Sequence, residues 1–152
     1  MHPEEKIAQL GLNLPPAATP AAVYVPFVQS GNLLFLSGHI PKRNGQVVVG
    51  QLGRTMQTAE AKQIAREVTV DLLGTLKAAV GDLGRIARIV KVMGLVNSTP
   101  DFTEQHLVIN GCSELLGEVF GAKGVHARSA FGVAQIPLGA CVEIELIAEI
   151  SA

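Results

Sequence analysis

Charge is scarce in this chain of 152 residues: only 16% are Asp, Glu, Lys or Arg, and they nearly cancel at a net charge of −1. No basic stripe of the kind a phosphate backbone requires is present, Lys42-Arg43 being the densest positive spot, so a nucleic-acid partner is not expected. Aromatic side chains are rarer still, at 4%. The two cysteines, Cys112 and Cys141, stand far apart with neither metal nor redox spacing, and read as reduced, buried small side chains of a cytosolic protein. No apolar run reaches membrane-spanning length without interruption. Met1 is followed by Glu4-Glu5 and not by a basic then apolar stretch, so no signal peptide is expected.

What remains is aliphatic. A positive mean hydropathy with so little charge implies either a very large core or a surface covered by another subunit. The second is favoured because a small domain has too much surface to hide so much apolar material alone. The length suits one domain, 1–152, with residues 1–21 as a helix and Pro-rich lead-in.

Residues 3–10 read as a short helix, with Pro3 in its first turn, acidic Glu4-Glu5 at its positive end and Gly11 to stop it. Pro15, Pro16 and Pro20 hold residues 12–21 extended. Strands are expected at Val23–Gln29, an edge or bulge because of Pro26, and at Leu33–Ser37, covered on both faces. Asn44-Gly45 favours a tight hairpin into a third strand, Val47–Val49. With Thr58 as N-cap, a long helix runs to about Val80 on a stripe of Ala61, Ile64, Ala65, Val68, Leu72, Leu76 and Ala79, closed by Gly81. A fourth strand covers Ile86–Val96, and a second long helix runs from Phe102 or Thr103 to Val119. Two strands at about 127–135 and 141–150 end the chain. The order β-β-β-α-β-α-β-β, with both helices on one face of a mixed sheet, is an α+β sandwich whose bare sheet face needs an oligomer.

The motifs gather at the end. Arg128 is followed nine residues later by Pro137 and then by the alternating strand Val142-Glu143-Ile144-Glu145. Upstream lie Pro26-Phe27-Val28-Gln29, Leu36-Ser37-Gly38-His39-Ile40-Pro41, Asp101-Phe102 and Ile109-Asn110-Gly111. Together, over nearly the whole chain, these resemble the RidA/YjgF family, long labelled endoribonuclease L-PSP. Val96-Asn97-Ser98 and His126-Ala127-Arg128-Ser129-Ala130 resemble the branch described as an endoribonuclease with a chorismate-mutase-like fold. The resemblance implies a trimer whose three sheets enclose a central β-barrel, with ligand clefts between subunits. It implies hydrolysis of reactive imines and enamines without a cofactor. Arg128 would bind the substrate carboxylate in a bidentate way. Ser37, Gly38, His39, Asn110 and Ser129 would line the cleft, and Glu143 would orient the attacking water as general base. Phe27 would lie there too, where active deaminases carry a tyrosine, and His39 stands where a glutamine is more usual.

Each residue also has a plainer role. An arginine at a strand start is usually exposed or ion-paired. Alternation puts Glu143, Glu145 and Glu149 on one face, where a solvated polar face is the ordinary outcome for Glu145 or Glu149. If the last two strands form a hairpin centred on Leu138, Arg128 pairs near Ala148 and Glu143 near Val133, on opposite faces. Either that register differs or the two residues meet across a subunit boundary. His39 touches ligand or is a satisfied structural histidine, and His126 is a loop residue beside the site. His39, His106 and His126 lack ligand spacing, so no metal is expected. Gly81-Asp82-Leu83-Gly84 is a turn, not a phosphate loop, and Ser37-Gly38 is no nucleophile elbow. Cys112 belongs to the core.

The expected function is 2-iminoacid deamination at intersubunit clefts of a homotrimer. One rival is a non-catalytic binder of small carboxylates, or a regulator, which Phe27 favours. The ribonuclease of the family label is disfavoured by the charge balance, and a chorismate-mutase-like isomerase rests on fold analogy alone.

Overall fold

The computed structural model describes residues 1–17 and 23–152, so the expectation for Pro20 lies outside the described residues. Helix α1 (Pro3–Gln9) opens the chain. Strands β1 (Phe27–Ser30) and β2 (Leu33–Leu36) follow, then a small hairpin, β3 (Lys42–Arg43) and β4 (Gln46–Val47). Helix α2 (Thr58–Val80) leads to β5 (Ile86–Asn97), α3 (Gln105–Phe120) leads to β6 (Ala127–Val133), and β7 (Val142–Ile150) ends the fold. This is the expected α+β architecture, a mixed sheet with α2 and α3 against one face.

Among the described residues the main sheet has five strands, in the order β1-β2-β7-β5-β6. All neighbours are antiparallel except β5 and β6, which run parallel because α3 carries the chain back between them. Alternation sorts the faces as the sequence indicated: Val142, Ile144, Leu146, Ala148 and Ile150 of β7 are buried under the helices. There they meet Ile64, Val68, Leu72 and Leu76 of α2 and Ile109, Cys112 and Leu116 of α3 in one hydrophobic cluster. Gly94 of β5 lets α3 approach, since a Cβ there would sit 2.6 Å from the Ile109 side chain. The helices pack as closely at Gly111, where a Cβ would overlap the Lys62 carbonyl oxygen. Across their outer side, Arg66 grips Glu118 and Lys62 reaches Glu114.

Several expectations are corrected. The first strand begins at Phe27, not Val23, because Pro26 precedes the ladder and offers it no N–H. Strand β2 is not covered on both faces within the chain: Leu34 and Leu36 are buried but Phe35 is 41% exposed. Val47–Val49 adds no third strand to the main sheet. The Asn44-Gly45 turn, both residues at positive φ (54° and 76°), closes a separate two-stranded hairpin, and Val49 makes only a bridge to Ala140. The N-cap of α2 is Gln57, while the Thr58 hydroxyl donates to Glu104 Oε1 at 2.6 Å. Helix α3 starts at Gln105, after a loop through Phe102 and Thr103.

The larger correction concerns the last two strands, which form no hairpin. Strand β5 lies between them, putting Arg128 opposite Val92 and Glu143 opposite Leu95. The connection is long enough to cross the end of β5, where Asn97 N–H donates to the Cys141 carbonyl at 2.9 Å and Asn97 Nδ2 to the Ala140 carbonyl at 3.3 Å.

Candidate functional site

The site residues divide into two groups at different places on the sheet. The first lies on the helix side of the edge strand β6. Arg128 is half-buried, and its Nη1 donates to Asn110 Oδ1 at 2.9 Å and to Ser113 Oγ at 3.2 Å. Asn110 and Ser113 are three residues apart on α3 and so share the face turned to β6. His126, two residues ahead of Arg128, sits with Nε2 2.9 Å from Ser113 Oγ and Nδ1 2.6 Å from the Gly124 carbonyl. All the side-chain hydrogen bonds of Arg128 among the described residues fall on Nη1, and it forms no ion pair with a described residue. The guanidinium therefore offers Nε and Nη2 as the fork that a carboxylate fits.

The second group surrounds the start of β7. The Gly38 N-terminal neighbour Ser37 is anchored through its hydroxyl to the Val25 carbonyl at 2.6 Å, and His39 pairs with Ile144 through the backbone. This seats Gly38 directly against Glu143: a Cβ at Gly38 would lie 2.7 Å from Glu143 Oε2. Burial, and then the neighbouring charge of Glu145, raises the Glu143 carboxyl above the ordinary glutamate value. A half-buried carboxylate with raised basicity has what a general base needs.

His39 is turned away from that space. Its Nδ1 lies 2.7 Å from the Ser37 carbonyl, which can only accept, so Nδ1 carries the proton and Nε2 accepts from the Thr75 hydroxyl at 2.8 Å. Burial lowers its pKa, keeping the ring neutral. Phe27, in register with Leu36, packs against the core from the opposite edge strand to Arg128. Ser129 pairs with Met93 and belongs to the other sheet face from Arg128. The structure thus brings Arg128 to Asn110 and Gly38 to Glu143, and it separates these pairs. With β5 between them and three residues of offset, Arg128 and Glu143 are roughly 10 Å apart along the strands and about 10 Å across them.

Ser113 was not singled out from sequence. A lone serine inside a helical pattern gives no signal until α3 is set beside β6. The grouping of His2, Glu4 and Asp82 was also missed; their ligand-type atoms lie within 4.8 Å of one another. Each has a protein partner. His2 Nδ1 accepts from the Glu4 N–H at 3.2 Å, its Nε2 donates to Asp82 at 2.8 Å, and Glu4 pairs with Lys77. The group clasps α1 to the end of α2. Burial pushes both cysteine thiols up to about 11, so neither is a ready nucleophile. No helix among the described residues is long and apolar enough to cross a membrane.

A mixed sheet backed on one face by two long helices is an α+β sandwich of the chorismate-mutase-like class. The chain belongs to the YjgF/chorismate mutase-like, putative endoribonuclease family, whose model matches residues 4–150. It is similar to Protein TCP17 of Trypanosoma cruzi, 45% identical over 147 residues, covering 95% of this chain and 92% of that protein. It also resembles Atu1372 of Agrobacterium tumefaciens, a protein of unknown function (46% identity, 98% of this chain and 92% of that one, TM-score 0.91). A Shewanella oneidensis protein described as a putative endoribonuclease is 32% identical, with 99% of this chain and 100% of that one covered and a TM-score of 0.94.

Proposed function

We propose that this protein hydrolyses small 2-imino or enamine acids at clefts between the subunits of a homotrimer. The observation that carries the reading is Arg128: a half-buried cation without an acidic partner among the described residues, its free edge presented beside Asn110. Burying part of a cation is costly unless an anion completes it, and a substrate carboxylate is the fitting anion. The basic group needed for the chemistry, Glu143, belongs to the far group, so one chain holds two half-sites. A ring of copies that sets the β1 side of one sheet against the β6 edge of the next would join them. The exposed apolar side chains Val28, Phe35 and Phe131, all on the helix-free face, supply surface for such an assembly.

In this reading Arg128 of one copy fixes the carboxylate, and Glu143 of the next takes a proton from a water as its oxygen adds to the imine carbon. The resulting carbinolamine gains a proton on nitrogen, ammonia leaves and a 2-oxo acid remains. Water supplies every atom needed, and the gain comes from placement and from charge complementarity in a partly dry cleft. The test is to generate 2-iminoacids in situ with an amino-acid oxidase and time their decay. Acceleration by the wild type that vanishes in Arg128→Ala supports the reading. No acceleration over short and branched substrates, with the protein folded and assembled, sinks it.

Phe27 favours a second reading, a non-catalytic site for small carboxylates. It packs on the core and brings no hydroxyl to place water or the leaving amine. Phe27→Tyr should raise imine hydrolysis if the missing hydroxyl limits the rate. Unchanged decay, together with carboxylate binding that needs Arg128, would select the binder.

A further inference from the structure

We infer that Ser113 and His126 are positioning residues that aim the Arg128 guanidinium, so that its unengaged edge meets the ligand carboxylate in one fixed orientation. This rests on reading Arg128 as the carboxylate anchor and adds how the anchor is held.

The direction of every bond in the chain follows from donor and acceptor chemistry. The Gly124 carbonyl, 2.6 Å from His126 Nδ1, can only accept, so the imidazole proton resides on Nδ1. With Nδ1 as the ring's donor, Nε2 serves as its acceptor, and the group 2.9 Å away able to donate to it is the Ser113 hydroxyl. With its single proton committed to His126, Ser113 Oγ turns lone pairs toward Arg128 Nη1 at 3.2 Å. Asn110 Oδ1 takes the same nitrogen at 2.9 Å. Two acceptors from successive turns of α3 thus hold one corner of a planar group, which fixes the plane and directs the opposite edge outward.

Without His126 the serine would have a competing choice, since a helical serine readily donates back to the carbonyl four residues earlier. The imidazole removes that choice and ties the arginine to the loop before β6 as well as to α3. A Ser–His contact also invites a reading as a nucleophile and base. Here the imidazole is backed by a neutral carbonyl rather than a carboxylate, and the serine lone pair is occupied by a guanidinium proton. Both features suit holding a cation in place and neither helps the hydroxyl attack.

The test reads the arginine directly. NMR relaxation of the Arg128 Nε–H, and calorimetric binding of 2-oxobutyrate, would be measured for wild type, Ser113→Ala, Ser113→Thr and His126→Phe, with Tm beside each. We expect a rigid Nε–H in the wild type and a mobile one in Ser113→Ala and His126→Phe. Affinity for 2-oxobutyrate should fall roughly tenfold in both, as expected for losing one hydrogen bond to a charged group. Ser113→Thr keeps the hydroxyl and should restore both readouts. An Nε–H that stays rigid in both variants overturns the proposal, even where Tm falls, because that pattern belongs to a merely structural pair. His126→Phe leaves α3 unaltered and keeps the test decisive where a change at Ser113 weakens the helix. A wild type that binds no 2-oxobutyrate would count against the functional reading, while the mobility of the guanidinium would still decide the positioning role.

Discussion

Glu143 carries a proton longer than a solvent-exposed glutamate would, because burial first and Glu145 second disfavour its charge. A general base works only when deprotonated, so the acid limb of imine hydrolysis should lie above the ordinary glutamate range. Replacing Glu145 with Gln should move that limb toward acid, and Glu143→Gln should remove it along with most of the rate; a pH–rate profile of the three proteins checks this. His39 behaves in the opposite sense. Its folded pKa is depressed, so the unfolded chain binds the proton more readily and stability is lost as pH falls below about 6.5. Thermal melts of wild type and His39→Gln between pH 5 and 8 should show a steeper acid-side loss in the wild type. These two residues were both legible as site candidates, since each stands in or beside a motif. Their roles diverge for a reason no linear motif contains: Thr75, thirty-six positions from His39, takes up its second ring nitrogen.

Among the elements, the contact between α2 and α3 is the one most easily broken by a single methyl group. A Cβ at Gly111 would overlap the Lys62 carbonyl, part of the helix backbone, so the helices themselves must separate. Gly111→Ala should cost about 3 kcal/mol through overpacking. For a domain of this size that is roughly 6–12 °C in Tm, measurable by calorimetry. Asn110 sits beside this contact and holds Arg128, so carboxylate binding should weaken in the same variant. Element positions were readable from the chain because apolar spacing near 3.6 or 2 residues is a local property. Their ends were less so: Gln57 rather than Thr58 caps α2, because the threonine hydroxyl is drawn to Glu104, forty-six residues away.

For the whole molecule, the helix-free face of the sheet exposes Val28, Phe35 and Phe131, at 54%, 41% and 43%. Phe35→Glu would place a charge in the centre of the proposed assembly. Analytical ultracentrifugation should find a trimer for the wild type and a monomer for the variant, with imine hydrolysis lost alongside. A monomeric wild type would remove the route by which Arg128 and Glu143 could cooperate. By itself the sequence determined the α+β class, the two long helices and the buried face of β7, while its resemblance to the family marked Arg128, Asn110 and Glu143 as candidates. Periodicity and residue chemistry are written in adjacent positions. Only the tertiary structure decided that β5 lies between β6 and β7, that Gly38 makes room for Glu143, and that Ser113 and His126 stand behind Arg128. Strand order and side-chain partners depend on which distant surfaces bury each other best, and that competition is settled over the whole chain at once.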